Sequence, residues 1–147
     1  TTPAFMSWKA MNQLMIDAGD IPTGRMIANS TGDPSVQVAY DAPFPDPSYK
    51  AGALIMPQRV PVSVNYPGAV ANAAAWEIFR RWEKPFLTAF SDSDPVTAGG
   101  DVIFQREVPG AQGQNHVTIK GAGHFLQEQK GEELAEVIAE FMRNNPL

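Results

Sequence analysis

The sequence predicts an α/β fold that contains only two parallel strands. Three observations point there. Two short β-type runs, "PFLTAF" and "HVTIK", lie in the later part of the chain. Helical patterning separates them and continues after them, giving strand, helix, strand, helix, the order that parallel pairing requires. Two strands cannot use the apolar faces of the helices around them, because parallel sheets are normally covered on both faces and hold several strands. The pattern is that of the edge of a larger sheet whose other strands lie outside these 147 residues.

The elements come in this order. "PAFMSWKAMNQLMIDAGD" carries Phe5, Trp8, Met11, Leu14 and Met15 on a helical stripe, closed by Gly19 and Pro22. "PTGRMIANSTGD" reads as one short helix and a turn. "DPSVQVAYDAPFPD" reads as a helix with Asp33 as its cap and Pro34 at its first position, stopped by Pro43, Pro45 and Pro47. A further helix fits residues 48–56. "PGAVANAAAWEIFRRWEK" is Ala-rich, opens at Pro67, and spaces Trp76, Phe79 and Trp82 by three. Near residue 84 the rhythm changes. "PFLTAF" is a short buried strand, a helix fits Gly100–Glu107, and "HVTIK" is a β-branched strand. "GEELAEVIAEFMRNN" closes the chain as a helix with Leu134, Val137, Ile138, Phe141 and Met142 on one face. Its acidic residues come first and Arg143 last, matching the helix dipole.

Composition removes several function classes. The 44% apolar content supports a core. Sixteen acidic and 11 basic residues leave a net charge of −5, the wrong sign for a nucleic-acid or anionic-membrane partner. No Cys means no disulfide, thiolate catalysis, or Cys-held zinc or iron–sulfur site, and two His do not make a multi-His metal centre. No apolar run approaches the roughly 18 residues of a membrane span. The length suits one domain of about 100–200 residues. Thr1-Thr2-Pro3 shows no leader pattern, and with no Cys the expected compartment is the cytoplasm.

Two places can carry chemistry. "PFLTAF" runs into Ser91-Asp92-Ser93-Asp94-Pro95, and ligands in open α/β sheets bind just outside the carboxyl ends of the strands. "HVTIK" runs through Gly121 and Gly123 into His124, the two glycines allowing a tight turn. An acid after one strand and a His after the next are placed to meet, and a carboxylate holding an imidazole is the orienting half of a catalytic triad. Blander readings stand beside this one. Asp94-Pro95 fits a helix cap, Asp92 competes as the acid, and His124 after a Gly-rich turn can be structural. His116, at a strand start, reads as structural. Trp8, Trp76 and Trp82 read as core aromatics.

"FLTAFSDSDPVT", with the His of "GAGHFLQE" after it, resembles the C-terminal end of the α/β-hydrolase fold. The fuller resemblance is to the haloalkane dehalogenases. "AYDAPFPDPSYKAGALIMP" is similar to that family's helical cap, and "FMSWK" to the segment carrying a cap Trp that faces the active site. The resemblance implies a partial α/β-hydrolase fold: residues 1–66 as a helical cap region, and residues 67–147 as the C-terminal part of the core with the last two parallel strands. It implies a two-step reaction on a small haloalkane. A nucleophilic Asp displaces halide to form an alkyl–enzyme ester, and a His-activated water then hydrolyses the ester to the alcohol. By the motif match His124 is the base and Asp94 its supporting acid. Trp8 becomes the halide donor, with Phe5, Met56, Pro57 and Val60 lining an apolar pocket. No cofactor and no metal are implied.

The family's nucleophile sits on a strand-to-helix elbow upstream of the cap, with a second halide-binding Trp next to it. No G-x-D-W-G-like elbow occurs in this sequence. The expectation is therefore a C-terminal half that needs the N-terminal half of the same fold and is inactive alone. Two alternatives remain. An epoxide hydrolase would use a cap Tyr, with Tyr40, Tyr49 and Tyr66 as candidates. A non-catalytic module would dock on a partner through its sheet edge.

Overall fold

The computed structural model describes residues 3–146. They form two compact units that divide between Val70 and Ala71.

The first unit is helical. Helices α1 (Pro3–Ala18), α2 (Thr23–Thr31), α3 (Val36–Asp41) and α4 (Ala51–Arg59) come in order, with a 3-10 turn at Pro47–Lys50 leading into α4. α1 packs on α4 and α2 on α3. On α1 the buried residues are Phe5, Lys9 and Asn12, which share one face at helical spacing. Met11 and Leu14, part of the expected apolar stripe, are exposed. The α1–α4 seam is therefore largely polar. Asn12 Nδ2 donates to the Leu54 carbonyl at 3.1 Å. Gln58 Nε2 donates to the Lys9 carbonyl and to Asn12 Oδ1, both at 2.9 Å. Lys9 Nζ reaches the Gln58 and Val60 carbonyls and the Tyr66 hydroxyl at 3.2–3.4 Å.

This seam accounts for one departure from expectation. The helix expected over residues 48–56 instead runs from Ala51 to Arg59, through Pro57. A proline inside a helix removes one hydrogen bond and usually ends it. Here Gln58, the next residue, is tied to α1 by its side chain, and that anchorage carries the helix onward. Asp41 caps α2 from α3, accepting from the Gly24 N–H at 2.8 Å and from the Thr23 hydroxyl at 3.2 Å. Gly24 has no room for a side chain: a Cβ there would lie 2.3 Å from the Gln37 carbonyl. Asp33 accepts from the Ser35 N–H at 2.8 Å in a local turn, and α3 begins only at Val36.

The second unit holds most of α5 (Ala69–Phe79), then β1 (Ala89–Ser91), α6 (Gly100–Glu107), a 3-10 turn at Pro109–Ala111, β2 (Val117–Ile119), α7 (Leu126–Gln129) and α8 (Gly131–Asn144). β1 and β2 are parallel, with Ala89, Phe90 and Ser91 opposite Val117, Thr118 and Ile119. Both strands are shorter than the runs that predicted them, because only these three pairs form the ladder. α7 was not expected from the sequence.

Val108, Ala111, Ile119 and Ala122 form the buried centre of this unit. Trp76, Phe79, Phe86 and Phe104 make an aromatic cluster beside it, with Phe104 stacked on Trp76 at 5.2 Å and on Phe86 at 5.6 Å. Trp82 lies outside both α5 and the cluster. The chain tightens after Phe79, where Arg81 and Trp82 donate to carbonyls three residues back. The Trp82 carbonyl is instead taken by the Gly110 N–H at 2.7 Å. Gly110 is threaded so closely that a Cβ would lie 1.9 Å from the Lys84 carbonyl oxygen.

The helices of this unit are poorly covered. α5, α6 and α8 hold no fully buried residue among those described. Ile78, Val102, Ile103, Ile138 and Met142 stay exposed. Leu134, Val137 and Phe141 of α8 are half-buried. This agrees with a partial α/β-hydrolase fold, in which a two-stranded sheet is too small for its helices. No helix among the described residues is long and apolar enough to cross a membrane.

Candidate active site

The carboxyl ends of β1 and β2 bring an acid and a His together. Asp94 lies three residues beyond β1 and is 6% exposed. Its Oδ2 meets His124 Nδ1 at 3.0 Å. The same oxygen accepts from the Thr97 hydroxyl, and Oδ1 accepts from the Val96 N–H at 2.7 Å. Burial pushes the Asp94 carboxyl up, but the hydrogen bonds from Thr97, His124 and Val96 outweigh it and hold the group below its ordinary value. Asp94 is thus a fixed anion, and a carboxylate only accepts. His124 Nδ1 therefore carries the proton toward Asp94, which leaves Nε2 as the basic nitrogen. The imidazole is 42% exposed. The Phe125 ring stands edge-on to it at 5.3 Å.

Asp92, the competing acid, does something else. Its Oδ1 accepts from the Gly121 N–H at 2.9 Å and from the Ser93 hydroxyl at 3.0 Å, and its own N–H donates to the Ile119 carbonyl at 3.1 Å. It braces the turn after β2. Gly121 takes a φ of +70°, a conformation that favours glycine. Gly123 does not, so only one of the two glycines is required by backbone geometry. The Gly123 N–H donates to Gln129 Oε1 at 2.7 Å, and its carbonyl accepts from the Ser91 hydroxyl at 2.8 Å.

Thr97, Ser91 and Gln129 were not singled out from the sequence. Thr97 had a local signal: in Asp94-Pro95-Val96-Thr97 a hydroxyl stands three residues after an acid, a spacing that lets one carboxylate take an N–H and an O–H. Ser91 and Gln129 had none, since each pairs with the backbone of the Gly123 turn, which is distant in sequence for Ser91 and follows no recurrent spacing for Gln129.

The other expected residues are spread over the first unit and the start of β2. Trp8 is half-buried on α1, and its ring meets that of buried Phe5 at 5.6 Å. Met56, Pro57 and Val60 lie on or just after α4, the helix packed on α1. Pro57 is buried, whereas Met56 and Val60 are 66% and 41% exposed. His116 is structural. The Thr88 N–H donates to its Nδ1 at 3.1 Å, which places the proton on Nε2, and Nε2 donates to the Ala111 carbonyl at 2.9 Å. The ring thus ties the residue before β1 to the 3-10 turn at Pro109–Ala111.

A cavity of about 350 Å³ in the second unit lies at the opposite strand ends, lined by Leu87, Asn115, Val117, Val137 and Phe141 among others. It does not include the Asp94–His124 pair. Among the described residues no group of three or more His, Asp or Glu side chains could hold a metal ion.

No family model matches the chain. Curated relatives do. A haloalkane dehalogenase of Psychrobacter cryohalolentis is 46% identical over 145 residues, covering 97% of this chain and 47% of the relative. One of Mycobacterium marinum is 45% identical over 141 residues, 94% of this chain and 46% of the relative. The haloalkane dehalogenase 1 of Mycobacterium tuberculosis is 46% identical over 119 residues, 79% of this chain and 39% of the relative. Over nearly its whole length the chain is haloalkane dehalogenase family sequence, within the α/β-hydrolases, and it spans about half the length of the curated relatives it matches.

Proposed function

We propose that this chain supplies the hydrolytic half of a haloalkane dehalogenase: His124 as base, Asp94 as its supporting acid and Trp8 as a halide donor. In this reading residues 1–66 belong to the cap and residues 67–147 to the C-terminal part of the core. The N-terminal half of the fold brings the nucleophilic carboxylate, and this chain alone is inactive. The observation that carries the reading is the Asp94–His124 contact at the ends of two neighbouring parallel strands, with Nδ1 held by the carboxylate and the imidazole half-exposed.

In this reading the chemistry runs in two steps. A carboxylate oxygen of the nucleophile attacks the carbon bearing the halogen, the carbon–halogen bond breaks, and halide leaves with the bonding pair. A desolvated halide without donors is costly, and the Trp8 indole N–H suits that need. The ester that remains is neutral and needs an activated water. His124 Nε2 takes a proton from that water as its oxygen attacks the ester carbonyl, and collapse frees the alcohol and restores the carboxylate. Asp94 holds the tautomer and stabilises the imidazolium until its proton passes to solvent.

An epoxide hydrolase would need a Tyr hydroxyl aimed at substrate. The Tyr66 hydroxyl instead donates to the Gln58 carbonyl within the first unit. Halide release tests the proposal. The complete protein carrying this chain should release halide and alcohol in equal amounts from a small haloalkane, and this chain by itself should release none. Diol formation from an epoxide without halide release would favour the epoxide hydrolase. Stable folding with no activity on adding the N-terminal half would make the chain a docking module.

A further inference from the structure

The backbone that presents His124 is gripped on both sides of Gly123 by side chains outside the reacting set. The residue before His124 is Gly123, and both of its backbone polar groups are taken. Gln129, at the end of α7, accepts its N–H at 2.7 Å. Ser91, the last residue of β1, donates to its carbonyl at 2.8 Å. One residue earlier, the Ala122 carbonyl accepts from the Ser93 N–H at 3.1 Å, and Ala122 is itself buried. The grip therefore ties the His-bearing turn to the strand end that leads to Asp94 and to the short helix just after His124.

Such a grip matters here because His124 is itself half-exposed, with Asp94 at Nδ1 and the edge of the Phe125 ring beside it. The hydrogen bond at Nδ1 fixes the tautomer but does not by itself fix the orientation of the ring. Fixing the two successive peptides on either side of Gly123 limits the directions in which the His124 side chain leaves the backbone. A misplacement of about 1 Å can cost on the order of 100-fold in rate.

We infer that Gln129 and Ser91 are positioning residues for the ester-hydrolysis step, acting through the two peptide groups that flank Gly123: Gln129 holds the Ala122–Gly123 peptide and Ser91 the Gly123–His124 peptide. This rests on the dehalogenase reading above. It predicts a selective effect, because His124 serves the second chemical step and not the attack on carbon. In the complete enzyme, Gln129→Ala should lower kcat about tenfold or more and lower KM in parallel, leaving kcat/KM nearly unchanged while alkyl–enzyme ester accumulates in the steady state. Gln129→Glu keeps an acceptor for the Gly123 N–H and should restore most of kcat. Ser91→Ala should give the same signature, since it frees the carbonyl of the peptide that leads into His124. Its combination with Gln129→Ala should fall short of additivity, as expected for two side chains acting on adjacent peptides of one turn.

Rapid-quench kinetics with intact-mass detection reads all of this. Unchanged kcat in both single variants would overturn the inference. So would a parallel fall of kcat and kcat/KM with no ester build-up, which is the mark of general loosening. A parent enzyme that forms no ester and releases no halide would overturn the underlying reading instead, and is seen before any variant is compared.

Discussion

The two units are held together by different means. In the first, the interface between two helices is a set of side-chain hydrogen bonds centred on buried Lys9 and Asn12, while apolar Met11 and Leu14 lie exposed. In the second, buried Val108 and Ile119, an aromatic cluster and a closely threaded Gly110 surround a short parallel ladder. The residues proposed for chemistry divide in the same way. Asp94 and His124 are placed by strand ends and turn backbone, whereas Trp8 rides on a helix whose register depends on polar side chains. The second unit should therefore respond sharply to changes of backbone, and the first to changes of single polar groups.

The largest expected effect tests the backbone-placed pair. Asp94→Asn keeps the shape but removes the fixed charge that holds the His124 tautomer, and turnover by the complete enzyme should fall by about 10³–10⁴-fold. A loss under tenfold would separate Asp94 from the chemistry. Next comes Gly110→Ala, where a Cβ has no space beside the Lys84 carbonyl. It should cost about 3 kcal/mol or more and, in thermal unfolding, leave no cooperative transition of native height. Gly123→Ala is its control. The nearest atoms to a Cβ there are Gln129 Oε1 at 3.5 Å and the Ser93 carbonyl at 3.9 Å, ordinary contacts, so stability should hardly change.

A smaller effect is expected in the first unit. Lys9→Met keeps the length of the stem and deletes the ammonium, leaving the Gln58 and Val60 carbonyls without that donor. A loss of about 1–3 kcal/mol should appear in urea unfolding. Because Trp8 is the adjacent residue on α1, chloride quenching of its fluorescence should weaken as well. Trp8→Phe should abolish that quenching component while leaving stability nearly intact. The smallest effect is acid sensitivity. Asp94 has its folded-state pKa below its ordinary value, so its contribution is fully present above the ordinary carboxylate range near 3.8 and is lost as pH falls through the lower folded value. Asp94→Asn should flatten that part of the stability–pH curve.

The legibility of the sequence divides along the same contrast. Strand ends are legible because apolar and β-branched runs announce them, and in open α/β sheets chemistry sits just beyond the strand's carboxyl end. That logic alone puts Asp94 and His124 in reach of each other. It could not choose Asp94 over Asp92 without the family resemblance, since the choice depends on which carboxylate turns toward the His and which toward Gly121. Helix packing was less legible. Periodicity assigned α1 an apolar stripe, but the neighbour it packs on within its own unit offers carbonyls and an amide, so Lys9 and Asn12 are buried instead. Pro57 signalled a helix end that the Gln58 anchor overrode. Trp82 continued a spacing of three, but its carbonyl was claimed by Gly110. In each case a long-range hydrogen bond outweighed a local signal, and such bonds leave no trace in residue spacing.

The most direct test of the account is intact-protein mass spectrometry of the His124→Ala variant of the complete enzyme after exposure to a small bromoalkane. The account predicts a single stable mass increase equal to one alkyl group replacing a proton, one equivalent of bromide released, and no further turnover. Full turnover without an adduct would contradict His124 as the base. Neither adduct nor bromide, from a variant that folds as the parent does, would contradict the ester mechanism itself.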